Sequence, residues 1–151
     1  MNNSLELKID GQINSYPIGI TLFELSKYYQ NNFVNPIIAA KINNIVVPLS
    51  EKIRNNCEIK FIDVNDINGQ SMYLAALKYI FVVAVKELYG KDADVGFLNS
   101  LDKGLYAKLN IGEDLTLEVI NKITDKMQEI IDMDLLFEKI TAHKKEAINF
   151  L

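Results

Sequence analysis

SMYLAALKYIFVVAVKELYG, residues 71–90, is the stretch that decides how the second half of the chain is interpreted. It is apolar on almost every side, and Tyr79–Val85 is an unbroken apolar run that also fits a buried strand. The stretch is far longer than a strand of about 4–8 residues, has no internal Gly or Pro, and ends at Gly90, a typical C-cap. It therefore predicts a long buried helix that the rest of its domain covers.

This helix is not predicted to span a membrane. Lys78 and Lys86 interrupt the roughly 20 apolar residues that a crossing helix needs. The first ten residues lack the basic flank and apolar run of a signal peptide, and the single Cys57 cannot form an internal disulfide. These features predict a cytoplasmic protein with no membrane association.

Charge is unevenly distributed along the 151 residues, a length that suits one ordinary domain or two small ones. Residues 1–63 carry six Lys/Arg and six Asp/Glu, whereas residues 64–151 carry ten and fourteen, which accounts for the net charge of −4. Phosphate contacts dominate nucleic-acid affinity, so an acidic second half argues against broad, non-specific binding and leaves room only for a local basic patch.

The first part of the chain has the pattern of a small mixed sheet with one helix. Asp10-Gly11 is a hairpin turn signal between two alternating segments, and Thr21 with Glu24 forms a capping box for a helix that ends near Tyr29 or Gln30. Pro48 limits one later strand to a sheet edge. The predicted strands are 4–9, 12–18, 37–42, 45–49 and 57–64. The order ββαβββ is typical of a β-grasp.

We predict an α+β protein of two domains, 1–64 and 70–151, joined by the polar, turn-prone linker 65–69. In the second domain, Thr116 can cap a helix that reaches about Asp132. Strands are predicted at 93–98, 103–109 and 136–141, and a helix begins at 144–151. The predicted apolar face of the helix after Thr116 is Leu117, Ile120, Ile123, Met127, Ile130 and Ile131. Because the chain ends on apolar residues, we expect this domain to continue beyond Leu151.

The sequence lacks the usual signatures of catalysis and cofactor binding. It contains neither GxxxxGK[ST] nor GxGxxG, so the chain alone is not predicted to be a kinase. His143, the only histidine, lies far from Cys57, without zinc-ligand spacing or a third catalytic partner. The carboxylate pairs Asp92/Asp94 and Asp132/Asp134 flank predicted element ends, where solvated caps are expected. We predict no catalytic residue, no metal and no cofactor.

Three side chains are candidates for contact with RNA or another ligand. Tyr106 can stack on a base, and Lys103 and Lys108 of the same predicted hairpin can contact phosphates. The alternative is that both lysines simply belong to a solvated strand face. Core packing is the better interpretation of Tyr79.

The first 64 residues resemble a TGS domain, the β-grasp module of threonyl-tRNA synthetases, some GTPases and (p)ppGpp synthetase/hydrolase enzymes. The resemblance lies in YPIGITLFELSKYY (16–29), IIAAKINNIVVPLSEKI (37–53) and CEIKFIDVNDINGQ (57–70). AVKELYG (84–90) and ADVGFLNSLDKGLYAKLN (93–110), with residues 115–151, resemble the second N-terminal, editing-type domain of threonyl-tRNA synthetase. In that family the long helix carries an HxxxH motif. Alignment through AVKELYG puts Ala75 and Tyr79 at its positions, so the resemblance implies neither deacylation nor zinc binding here.

Residues 68–90 and 100–109 also resemble the N-terminal half of TGS-containing uridine kinase-like proteins of Firmicutes. This resemblance implies a non-catalytic regulatory or ligand/RNA-binding region whose partner is a C-terminal P-loop kinase module of the same polypeptide. The alternative is a free-standing tRNA-binding or trans-editing-like module related to threonyl-tRNA synthetase. A residual hydrolase with unusual catalytic residues is a third, weaker hypothesis.

Overall fold

The computed structural model describes residues 4–98, 104–135 and 143, and the chain forms two compact units, Met1–Leu77 and Lys78–Leu151. The predicted linker at 65–69 stays a prediction, although the helix α2 begins within this range, at Ile67.

The first unit opens with the predicted hairpin, β1 (Ser4–Ile9) and β2 (Gln12–Pro17). Asp10 and Gly11 have φ values of 50° and 81°, the left-handed pair that a two-residue hairpin turn requires. Asn43 and Asn44, with φ values of 48° and 69°, form the same kind of turn between β3 (Ala39–Ile42) and β4 (Ile45–Pro48). Local turn chemistry therefore determines both hairpins.

α1 (Leu22–Tyr29) begins at the predicted capping box. The Thr21 hydroxyl accepts a hydrogen bond from the Glu24 backbone N–H at 3.1 Å, and the Glu24 carboxylate accepts one from the Thr21 backbone N–H at 2.8 Å. These reciprocal bonds satisfy two amides that a helix start leaves unpaired. A 3-10 turn at Gln30–Asn32 ends the helix.

β5 (Cys57–Ile62) completes a five-stranded sheet in the order β2-β1-β5-β3-β4, with β1 and β5 parallel and all other pairs antiparallel. β4 lies at an edge, as Pro48 predicted. Alternate residues of β1 and β5 pack against α1. The buried core consists of Leu5, Leu7, Ile9, Leu22, Leu25, Ile37, Ala40, Ile53, Ile59 and Phe61. The predicted β-grasp is confirmed.

The start of α2 (Ile67–Tyr89) is fixed to the end of β5 by a polar cluster. The Asp66 carboxylate accepts hydrogen bonds from the backbone N–H and the side-chain amide of Asn68, at 2.8 and 2.7 Å, and pairs with the Lys41 ammonium at 3.1 Å. The Asn68 bonds, followed by Lys41, lower the pKa of Asp66 to about 2. Asp66 thus caps the predicted helix at a start four residues earlier than the sequence indicated.

Gly69 permits a close approach between α2 and the strand before it. A Cβ added there would overlap the carbonyl oxygen of Asp63 and lie 2.8 Å from its carbonyl carbon. The Asp63 side chain, only 7% exposed, accepts hydrogen bonds from Asn35 and Asn65. Only glycine fits this position without displacing the backbone.

The second unit contains the rest of α2, the two-stranded pair β6 (Asp94–Phe97) and β7 (Ala107–Asn110), and α3 (Leu117–Asp132). Thr116 caps α3 as predicted, its hydroxyl accepting a hydrogen bond from the Val119 N–H. The buried cluster consists of Val85, Ala93, Val119 and Ile123. The predicted strand 136–141 and helix 144–151 lie outside the described residues.

Two predictions about burial were wrong. α2 is not wrapped on all sides: Ala84 and Val85 are fully buried, but Tyr73 and Tyr79 are 59% and 58% exposed, so Tyr79 is not a core residue. On α3, Leu117 is 73% exposed and Val119 is buried instead. Helical periodicity identified the correct element, but it does not determine which apolar residues find a partner surface.

None of the helices in the described part of the chain combines the length and apolarity that crossing a membrane requires.

Candidate functional site

Two of the three predicted contact residues, Tyr106 and Lys108, lie together at the start of β7. Tyr106 immediately precedes the strand and its carbonyl accepts a hydrogen bond from the Leu98 N–H at 2.9 Å, which extends the pairing of β6 and β7. Lys108 follows two residues later, so both side chains project from the same face of the strand. Both are exposed, Tyr106 by 52%. Lys103 lies outside the described residues.

The opposite strand leaves room beside this pair. Gly96 lies directly across from Lys108, and a Cβ at Gly96 would meet no atom within 4 Å. Asp94 lies across from Asn110 and brings one carboxylate to the same face. Val95 and Leu109 point to the other face and pack on the buried cluster. The outer face of the hairpin is therefore open, and its described residues bring to it one aromatic ring, one cation, one carboxylate and the exposed apolar side chain of Leu98.

Ala75 and Tyr79, placed by the resemblance at the HxxxH positions, lie one turn apart on α2, and both are exposed. Neither side chain has an imidazole, the group that the HxxxH motif supplies at these two positions.

A cleft in the second unit was not predicted. It has a volume of about 360 Å³ and is lined by residues of α2 and of the end of α3, namely Tyr79, Ile80, Val83, Ile130, Ile131, Asp134 and Leu135. Most of the lining that the described residues supply is apolar, and among them Asp134 is the one charged residue. No signal in the sequence identifies this cleft. Its two walls lie about fifty residues apart in the chain, and the sequence of each wall has only the pattern of an ordinary apolar helix face.

The chain turns sharply at the end of α3, where Asp134 lies. Asp134 has a φ of 46°, and its N–H donates a hydrogen bond to the Ile131 carbonyl at 3.0 Å. The last turn of α3 carries no basic residue, although the C-terminus of a helix attracts positive charge. Nearby Lys126 is engaged elsewhere, with Glu87 at 3.0 Å and Glu129 at 3.1 Å, and these bonds raise its pKa.

The residues considered for catalysis each have an ordinary local environment. Cys57 is partly buried on β5, and burial raises the pKa of its thiol, which disfavours the reactive thiolate. His143 is exposed. Asp92, Asp94, Asp132 and Asp134 are all exposed at element ends, as predicted. Within ranges 4–98 and 104–135, and including His143, no three His, Cys, Asp or Glu residues are grouped to hold a metal ion.

Comparison with known proteins connects nearly the whole chain with one kind of enzyme. The chain is 28% identical over 142 residues to threonine–tRNA ligase of Acetivibrio thermocellus, which is 94% of this chain and 22% of that protein. It is 30% identical to the ligase of Thermotoga maritima over 140 residues, 91% of this chain and 21% of the ligase. It is 27% identical to threonine–tRNA ligase 2 of Bacillus subtilis over 138 residues, with 91% and 22% covered.

The matched parts are N-terminal regions of these ligases, so the chain spans about a fifth of the length of the curated relatives it matches. No protein-family model matches it. The α+β architecture and the similarity together support a fold like the N-terminal region of threonyl-tRNA synthetases.

Proposed function

We propose that this chain is a non-catalytic tRNA-binding module related to the N-terminal region of threonyl-tRNA synthetases. The observation that carries the proposal is the similarity to threonine–tRNA ligases over 94% of the chain. Those proteins are named for a tRNA substrate, and this chain supplies the region of about 140 residues that it shares with them.

The hairpin of β6 and β7 is the surface that suits this function best. Tyr106 offers a ring on which a base can stack, and Lys108 beside it offers a cation for the adjacent phosphate. The space above Gly96 admits the backbone of the nucleic acid between them. Asp94 opposes phosphate binding at one end of this face, which favours contact through Tyr106 and Lys108. Because the net charge is −4, the chain binds tRNA through a local contact and not through a broad positive electrostatic potential.

The test is fluorescence anisotropy with a labelled transcript of a threonine-accepting tRNA, at 50 and 200 mM salt. Replacing Tyr106 by Ala should weaken binding by about 1–3 kcal/mol, the usual value of one stacked base. Lys108→Gln should weaken binding and reduce the slope of log affinity against log salt by about one.

Matched controls lie in the other unit. Tyr28 is 72% exposed on α1, and Lys8 on β1 pairs with Glu58 at 3.1 Å. Tyr28→Ala and Lys8→Gln should leave tRNA affinity unchanged. The proposal is wrong if the unaltered chain does not bind tRNA at low salt, and the assignment to the hairpin is wrong if the control variants lose as much affinity as the hairpin variants.

The kinase-linked interpretation is the second candidate. It rests on the sequence resemblance of residues 68–90 and 100–109, and the relatives reported above, which are ligases, give it no support. It requires an open reading frame that continues beyond residue 151 into a module carrying GxxxxGK[ST]. A frame without that motif would remove this candidate and leave the tRNA-binding proposal untouched.

A further inference from the structure

We propose that the cleft between α2 and the end of α3 binds a small molecule with an apolar body and one positively charged amine. This inference concerns a different surface from the hairpin and goes beyond the proposed tRNA contact. Ligand pockets typically have volumes of roughly 300–1,000 Å³ and are mostly apolar, with a few polar groups that orient the ligand. The cleft, at about 360 Å³, has this character.

Its apolar part would bind the body of the ligand. Val83 and Ile80 on α2 face Ile130 and Ile131 on α3 across the cleft. Ile131 is 47% exposed and Leu135 is 68% exposed, so an apolar ligand would remove a substantial hydrocarbon surface from water.

Charge selects an amine as the polar group. Asp134 is the charged residue of the lining, and in the described part of the chain no Lys or Arg lies within ion-pair distance of it. Asp134 follows the end of α3, whose carbonyl groups give that end a negative potential that no basic residue in the last turn offsets. Both features attract a cation to the same end of the cleft, and the described residues of the lining include no cation that would attract an anion.

The experiment uses the full chain with labelled Ile, Leu and Val methyl groups, observed by two-dimensional NMR. The probe is phenethylamine, protonated at neutral pH, and the matched neutral probe is 2-phenylethanol. Phenethylamine should shift the methyl signals of Val83, Ile130 and Ile131 in a saturable manner, with an affinity at least about five-fold greater than that of the alcohol. Methyl signals of the β-grasp core, such as Leu7 and Leu25, should not move.

Two variants test the two parts of the cleft. Asp134→Asn should reduce the affinity for the amine to that for the alcohol, and asparagine tolerates the left-handed φ of this position. The control Asp125→Asn, on α3 but outside the cleft lining, should leave the affinity for both probes unchanged. Val83→Phe should abolish binding of both probes by filling the cleft. If that variant does not fold, the Asp134 and Asp125 pair decides the question.

Three results would overturn the proposal. They are the absence of any saturable shift in the full chain, equal affinity for the amine and the alcohol, and equal effects of Asp134→Asn and Asp125→Asn. Binding of tRNA is measured separately, so a failure here leaves the proposed function intact.

Discussion

The two units differ in the size of the buried apolar cluster that their described residues form. Ten buried residues form one cluster between α1 and the sheet of the first unit, whereas the cluster in the described part of the second unit contains four. Exposed apolar side chains do not separate the units, since Val34 and Ile45 in the first and Leu117 and Leu135 in the second all keep more than half of their surface exposed. The contrast therefore lies in how many apolar side chains are packed together, not in how many reach the surface.

The largest loss of stability is expected from a substitution at the junction of β5 with α2. Gly69→Ala places a methyl group on the Asp63 carbonyl, so it should lower the free energy of unfolding by about 3 kcal/mol or more. Gly96→Ala is the matched control, because its Cβ would enter open space, and it should change stability by less than about 0.5 kcal/mol. Urea unfolding measures both. Equal losses would show that the close approach at Gly69 is not what restricts this position.

Amide exchange compares the two sheets directly. β5 is the central strand of five, whereas β6 and β7 form a two-stranded pair of four residues each in the described part of the chain. A short two-stranded pair is less stable than the centre of a five-stranded sheet, so amides of β5 should exchange at least about 100-fold more slowly than those of β7. Hydrogen–deuterium exchange followed by NMR provides the rates. Comparable protection of the two strands would remove the contrast between the units.

Substitutions on the two faces of α3 are expected to have an intermediate effect on stability. Val119 is 3% exposed and Leu117 is 73% exposed, the reverse of what the sequence pattern predicted for Leu117. Val119→Ala should cost about 2 kcal/mol of stability, whereas Leu117→Ala should cost less than about 0.5 kcal/mol. Thermal unfolding of the two variants distinguishes them, and a larger loss at Leu117 would favour the predicted face over the observed one.

The smallest effect contrasts one tyrosine of each unit. The hydroxyls of Tyr16 and Tyr29 are hydrogen-bonded at 2.8 Å, whereas the buried Tyr89 hydroxyl has no such partner among the described residues. Tyr16→Phe should therefore cost about 1 kcal/mol, and Tyr89→Phe should cost nothing or stabilise the protein slightly. Unfolding in urea at neutral pH compares them, and a loss at Tyr89 equal to that at Tyr16 would contradict the assignment.

The same pair gives a pH dependence. Burial, followed by the bond to Tyr29, raises the pKa of Tyr16 to about 12, and burial raises the pKa of Tyr89. The pKa of Tyr16 in the folded protein exceeds the ordinary value near 10, so its protonated hydroxyl contributes to the stability of the fold. This contribution is fully present below pH 10 and is lost as the pH rises toward 12. Unfolding curves of the Tyr16→Phe variant should show a weaker decline over that range.

The sequence predicted the β-grasp well because its decisive signals are local. Asp10-Gly11 and Asn43-Asn44 determine the hairpins, and Thr21 with Glu24 determines where α1 begins. The burial of α2 could not be predicted in this way, since apolar character does not reveal what packs against it. The cleft was missed for a related reason: Val83 and Ile130 become neighbours only in the folded chain. Tyr106 and Lys108 do share an exposed face, but their role in binding remains a proposal.

The cap of α2 has a practical consequence for dissecting this protein. A fragment cut at residue 64 would lose Asp66 and Gly69, and would leave the Lys41 ammonium and the carboxyl end of β5 without the groups that meet them. The buried Ala39 and Ile62 lie on the sheet face opposite the core, where Ile62 approaches Gly69. We therefore expect that a soluble, autonomously folding TGS-like fragment must extend to about residue 77, the limit of the first compact unit.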